Sequence, residues 1–126
     1  MLNELARYIH KNAVEHGWWE TERGIPELLA LVHSEVSEAL EEWRDDNRPN
    51  MVYYNMSNGY QACFATQDIK NPPPGLKPEG VPVELADVII RILDMVEYFG
   101  IDIDKVIQLK MAYNLTRPYR HGGKLA

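Results

Sequence analysis

A single cysteine, Cys63, stands in 126 residues, so no internal disulfide can form and nothing points to an oxidising compartment. No apolar run is long enough to span a bilayer, and the best stretch, Val88-Ile89-Ile90, is cut by Arg91. The opening Met1-Leu2-Asn3-Glu4 lacks a signal-peptide design. Basic surplus is missing too: 13 Lys and Arg face 19 Asp and Glu, for a net charge of −6, which argues against a duplex nucleic-acid binder. Repeats of solenoid length and linkers are also absent. These absences predict a cytoplasmic chain forming one domain over 1–126, with neither membrane nor nucleic acid as partner. Its hydrophobic fraction of 45% is ordinary for a globular domain.

The charges that are present are unevenly placed. Glu35, Glu38, Glu41, Glu42, Asp45 and Asp46 crowd a segment with one base, Arg44, whereas no acid follows Asp104. The basic end carries Lys105, Lys110, Arg117, Arg120, His121 and Lys124. Such a split describes a solvated helix face and a basic tail. It equally suits a metal-bound polyanion, with carboxylates on the cation and bases on phosphate oxygens.

Periodicity predicts four helices, over 2–16, from Pro26 to Trp43 or Arg44, from Pro82 to Phe99, and from Asp102 to Asn114. Gly17 and Gly100 close the first and third, and Pro26 and Pro82 open the second and third. Residues 50–81 break the pattern. Met51-Val52-Tyr53-Tyr54 and Tyr60-Gln61-Ala62-Cys63-Phe64 flank Ser57-Asn58-Gly59, a hairpin signal. Five of the eight prolines then fall between Pro72 and Pro82, which reads as loop. The expectation is an all-α, four-helix bundle with a short β-hairpin and Pro-rich loop inserted between the second and third helices, and a basic tail over 115–126.

Two helices carry matching carboxylate pairs. At 100° per residue with Glu35 at zero, Leu28, Val32, Val36, Ala39, Leu40 and Trp43 span about 20° to 140°. Glu35, Glu38 and Glu42 flank that stripe, and Trp43 is expected in the core. With Glu84 at zero, Leu85, Val88, Ile89, Ile92, Met95, Val96 and Phe99 cover the same arc, and Asp87, Arg91 and Asp94 take the same flank. Helices packed by these stripes would gather Glu35, Glu38, Glu84 and Asp87 at one edge. Two carboxylates ~4 Å apart repel by roughly 4 kcal/mol at an effective dielectric of 20. A divalent cation removes that repulsion, and an all-oxygen set suits Mg²⁺ or Mn²⁺. Di-iron bundles use Glu-x-x-His, and neither pair here ends in histidine. The pattern also describes two ordinary amphipathic helices with acidic flanks.

Lys110 and Asn114 share a helix face, and Arg117-Pro118-Tyr119-Arg120-His121-Gly122-Gly123-Lys124 joins cations to glycines as a phosphate clasp would. Trp18, Trp19, Tyr53, Tyr54 and Tyr60 are candidates to stack on a nucleobase, and His33, at the stripe's edge, reads as a packing residue. Glu42 and Asp94 are candidates for a proton acceptor or a further ion site. No Ser, Cys or His arrangement suggests a covalent nucleophile.

Glu35-x-x-Glu38, Glu84-x-x-Asp87 and Lys110-x-x-x-Asn114, with the stretches Val83–Arg91 and Arg117–Lys124, resemble the MazG-like all-α nucleotide pyrophosphohydrolases, in particular their small single-domain subgroup. The resemblance covers the four helices and the tail. It implies Mg²⁺-dependent cleavage of a nucleoside triphosphate between the α and β phosphates, giving a monophosphate and pyrophosphate. It further implies Glu35, Glu38, Glu84 and Asp87 as metal ligands, Lys110 and Asn114 on the phosphate side, and a homodimer or homotetramer. Ser34 stands where the family commonly has Glu, and the gap from Glu38 to Glu84 is long for the family. The other reading is a non-catalytic nucleotide-binding or helical interaction module on the same scaffold.

Overall fold

A computed structural model describes residues 1–119. In chain order the elements are α1 (Leu2–Glu15), α2 (Ile25–Arg44), β1 (Met51–Asn55), β2 (Gln61–Ala65), β3 (Pro78–Glu79), α3 (Val81–Tyr98) and α4 (Ile103–Leu115). Short 3-10 turns at Trp18–Glu20 and Thr66–Asp68 punctuate the connections. Among the described residues no helix is long and apolar enough to cross a membrane.

The four helices stand where their periodicity places them, but the fold is not all-α. The inserted region is a three-stranded antiparallel sheet of order β2-β1-β3, not a lone hairpin and loop. The third strand arises inside the proline-rich stretch, where Tyr53 pairs with Glu79 and Tyr54 with Pro78. Two residues are too few to show a period, and proline normally argues against a strand. An edge strand accepts proline where its missing N–H would face away from the neighbour. Gly80 then brings the chain against β1. Its φ is +120°, and a Cβ there would lie 2.6 Å from the Met51 carbonyl oxygen. Only glycine fits this approach.

Two compact units share the described residues: 19–92 form one, and 1–18 together with those from 93 onward form the other. In the 19–92 unit α2 begins behind Gly24 with Pro26 in its first turn, and stops at Asp45 before Asp46 takes a left-handed φ of 65°. The hairpin turn puts Gly59 at φ 89° and is closed by Met56 N–H on the Tyr60 carbonyl at 2.7 Å. Leu28, Ala39, Val52, Tyr54 and Val81 are its buried apolar residues. The Tyr54 and Phe64 rings meet edge-on at 6.1 Å, fastening the same face of the two strands.

In the other unit α1 and α4 exchange caps. Asp104 accepts the N–H groups of Leu2 at 2.8 Å and Asn3 at 3.1 Å, filling the orphan donors at the start of α1. In return the Asn3 side-chain oxygen accepts from Ile103 N–H at 3.0 Å and Asp104 N–H at 3.3 Å. Asp102 closes the set, accepting from the Asn3 amide at 2.8 Å and from Lys105 N–H at 3.1 Å. These donors hold the Asp102 and Asp104 carboxyls below the usual carboxylate range. Ala6, Leu93 and Val96 are buried here, as is Asp94, which takes His10 Nδ1 at 2.7 Å.

Helical phase differs from the sequence expectation. On α2 the buried residues are Leu28, Glu35 and Ala39, while Val36, Leu40 and Trp43 are 50%, 47% and 59% exposed. Trp43 is therefore not core. The buried line has rotated toward Glu35, away from the centre of the apolar stripe. On α3, Leu85 and Ile89 likewise stay about half exposed.

Candidate metal centre

The buried side of α2 carries Glu35 inward, and Glu38, one turn on, stays exposed at the margin. Glu84 comes from the first turn of α3, immediately after Gly80 and Pro82 fix where that helix starts. Oxygens of Glu35, Glu38 and Glu84 lie within 4.8 Å of one another. Of the four carboxylates expected at one edge, the structure brings these three together. Asp87 is half-buried one turn further along α3 but is outside that set.

Arg91 enters the cluster from α3. Its Nε donates to Glu35 Oε1 at 2.7 Å, with the Glu35 side chain 8% exposed. Burial alone would raise the Glu35 pKa. The Arg91 hydrogen bond, a hydrogen bond with Glu38, the Arg91 charge and a hydrogen bond with Glu84 together reverse this and bring it below the ordinary value. Glu84 has no such cation among the described residues. Burial, the approach of Glu38 and the charge of Asp87 push it up to about 7. Asp87 is raised as well, by burial and by the Glu35 charge, with Arg91 and Lys77 pulling back. One helix thus carries an ionised carboxylate and the next a carboxylate that holds a proton near neutrality.

That proton matters to the fit of a metal. A contact between Glu38 and Glu84 is a hydrogen bond only while one of them is protonated. When both are ionised, the buried Glu84 Oε2 has no hydrogen-bond donor among the described residues. A buried, donorless carboxylate oxygen costs free energy unless a proton or a cation meets it. Three carboxylates and no Cys or His make a hard donor set, which fits Mg²⁺ or Mn²⁺.

No family model, curated protein or solved structure matches this chain. Site chemistry therefore rests on these side chains.

Other expected residues lie elsewhere. Both Glu42 oxygens accept from the Tyr53 hydroxyl at 3.0 Å, and Oε2 also accepts from the Asn47 amide at 2.8 Å. Burial and then Glu42 push the Tyr53 hydroxyl up, so it remains a donor. Glu42 is thus engaged in fastening the end of α2 to β1. Tyr54 is buried in the sheet and Tyr60 is 74% exposed. Asp94 is bonded to His10, and both belong to the unit formed by the chain's two ends. His33 is exposed, not packed. Trp18 and Trp19 are half-buried around the 3-10 turn. Lys110 lies with its Nζ 4.8 Å from the Tyr113 ring centroid, and Arg117 is 5.9 Å from the same centroid. Asn114 is exposed. Arg120 and Lys124 lie outside the described residues.

Two side-chain contacts of the expected site residues were not anticipated from the sequence. Arg91 had a legible signal, the one base on the acidic flank of its helix between Asp87 and Asp94. The Tyr53–Glu42 clasp had none, because it joins a helix end to a strand across a turn whose path no residue pattern in the sequence announces.

Proposed function

We propose that the chain is a Mg²⁺-dependent nucleoside triphosphate pyrophosphohydrolase, cleaving a (d)NTP to a (d)NMP and pyrophosphate, with Mn²⁺ as an alternative ion. The observation that carries this reading is the meeting of Glu35, Glu38 and Glu84 around a buried, donorless Glu84 oxygen. The resemblance of the paired carboxylate motifs to the MazG-like pyrophosphohydrolases supports the substrate class. Glu35, Glu38 and Glu84 would hold the cation, with Asp87 adjoining. When bound, such an ion neutralises phosphate charge and lowers the pKa of an attacking water.

The chain's own groups divide the remaining work. Arg91 keeps Glu35 ionised and fixes its orientation through the 2.7 Å hydrogen bond. Glu84 would have to give up its proton to hold a cation, so affinity should rise with pH through about 7. Glu38, the exposed member, would offer one oxygen to the cation and keep the other to take the proton of the attacking water. Glu42 is engaged by Tyr53 and Asn47, which leaves Glu38 the better base. Lys110 and Asn114 are assigned to the phosphate side by resemblance, and Arg117 by the cations and glycines of the stretch it opens. Self-association belongs to the same reading, supported by the half-exposed Val36, Leu40, Leu85 and Ile89.

A non-catalytic nucleotide-binding or interaction module is favoured by one observation, the Arg91–Glu35 ion pair, which already neutralises part of the cluster. Pyrophosphate release from a panel of (d)NTPs separates the two. The enzyme releases pyrophosphate with Mg²⁺ and loses that activity with EDTA or with Glu38→Gln. Nucleotide binding with no pyrophosphate under any condition would leave the module.

A further inference from the structure

Of the sheet's two edges, β2 is the longer, and no further strand pairs with it among the described residues. In the hairpin Met51 pairs with Ala65 and Asn55 with Gln61 without a bulge. Met56 N–H donates to the Tyr60 carbonyl, and Thr66 N–H donates to the Asn50 carbonyl at 3.0 Å. Hydrogen-bonded pairs alternate along an antiparallel ladder. Ala62 and Phe64 therefore turn their N–H and C=O groups toward β1. The N–H and C=O groups of Gln61, Cys63 and Ala65 point the other way, where no strand lies among the described residues.

Edge strands are ordinarily protected by a charge, a proline or a bulge. None of these occurs in Gln61-Ala62-Cys63-Phe64-Ala65, and Cys63 and Phe64 are exposed. The charge pattern singles out this strand further. In a chain where 25% of residues are charged, none is charged between Arg48 and Asp68. Two molecules of net charge −6 repel wherever their acidic faces meet. The two hairpin strands bring no charged side chain of their own to such a meeting, and the charges that line a pocket with Cys63, Asp46 and Arg48, are of opposite sign.

We infer that β2 pairs antiparallel with β2 of a second copy, joining two sheets into one of six strands across a two-fold axis. Outward groups at 61, 63 and 65 fix the register: Gln61 opposes Ala65 of the partner subunit, and Cys63 opposes Cys63 of the partner subunit. In such a hydrogen-bonded pair the Cα atoms lie about 5.5 Å apart. The thiols are then within reach of a short cross-linker. This inference does not depend on the metal centre or on the proposed activity.

Cys63 is the only cysteine, so the natural chain reports on its own register. Treatment of dilute protein with a short bismaleimide should yield a covalent dimer. The control, Ser57→Cys in a Cys63→Ser background, places the thiol at the hairpin tip and should cross-link at least tenfold less. Light scattering on a sizing column should show the wild-type mass halved by Cys63→Lys, which sets like charges on the axis. Association through the exposed helix faces would survive that substitution. Equal cross-linking at 57 and 63, a mass unchanged by Cys63→Lys, or a monomeric wild type at 100 μM would each overturn the pairing. A monomer would leave the edge for an extended segment of some other protein. Where Cys63→Lys fails to fold by circular dichroism, the wild-type cross-link and its control decide alone.

Discussion

Replacing Glu84 by Gln tests whether the acidic cluster is held together against its own charge. Folded Glu84 keeps its proton up to about 7, against an ordinary value of 4.5. The native state therefore binds more protons than the unfolded chain across that window, and its stability falls as pH rises from about 4.5 to 7. The displacement corresponds to at most about 3 kcal/mol, at 1.36 kcal/mol per unit. Because Glu38 opens the cluster to water, a realistic figure is about 1–2 kcal/mol. Glutamine keeps the shape of protonated glutamate and supplies an amide N–H to Glu35 or Glu38. In EDTA at pH 8 the variant should be more stable than wild type by that amount, a rise in melting temperature of about 4–10 °C. At pH 4 the difference should vanish, since wild-type Glu84 is protonated in both states. Added Mg²⁺ should raise the wild-type melting temperature at pH 8 and leave the variant almost unmoved. Thermal melts at the two pH values, with and without Mg²⁺, provide the measurement. A variant less stable than wild type at pH 8, or a difference independent of pH, would refute the reasoning.

Three further substitutions probe the frame around the cluster. Arg91→Met leaves Glu35 buried without its cation and should cost about 2–4 kcal/mol by urea denaturation at pH 7. The lowered Glu35 pKa contributes stability above its unfolded value and loses it in acid, so the deficit should shrink below pH 4. Tyr53→Phe removes the hydroxyl that serves Glu42 and should cost about 1–2 kcal/mol in the same assay, with Mg²⁺ affinity by calorimetry unchanged. Gly80→Ala drives a Cβ into the Met51 carbonyl and should cost more than about 1 kcal/mol, with faster amide exchange at Glu79.

What the sequence disclosed was the part governed by local rules. The helices were legible because caps, prolines and glycines mark their ends, and the hairpin because Asn58-Gly59 stands between aromatic runs. Equal angular offsets on two stripes pointed to four carboxylates meeting, and three of them, Glu35, Glu38 and Glu84, do so while Asp87 lies outside the set. The offsets carried over even though the buried line on α2 runs through Glu35 itself, leaving Val36 and Trp43 outside. A hydrophobic period reports which residues prefer burial, and it cannot say which neighbour arrives to bury them. Asp94 illustrates the limit: it shares the flank of Asp87 on the wheel, but two further turns of helix carry it to His10. The strand at Pro78 was illegible because its reason lies in a distant close approach, the Gly80 backbone against Met51.

Interlocked caps between α1 and α4 set an order of events during synthesis. Asn3 and Asp104 must both be outside the ribosome before either helix start is satisfied, so the first helix waits on the last for its orphan donors. The 19–92 unit is contiguous and carries its three clustered carboxylates on one uninterrupted stretch of chain. It can assemble while the C-terminal helix is still being made. A nascent chain stalled short of Asp104 would thus carry an assembled acidic cluster beside an N-terminal helix with nothing yet to hold its leading turn.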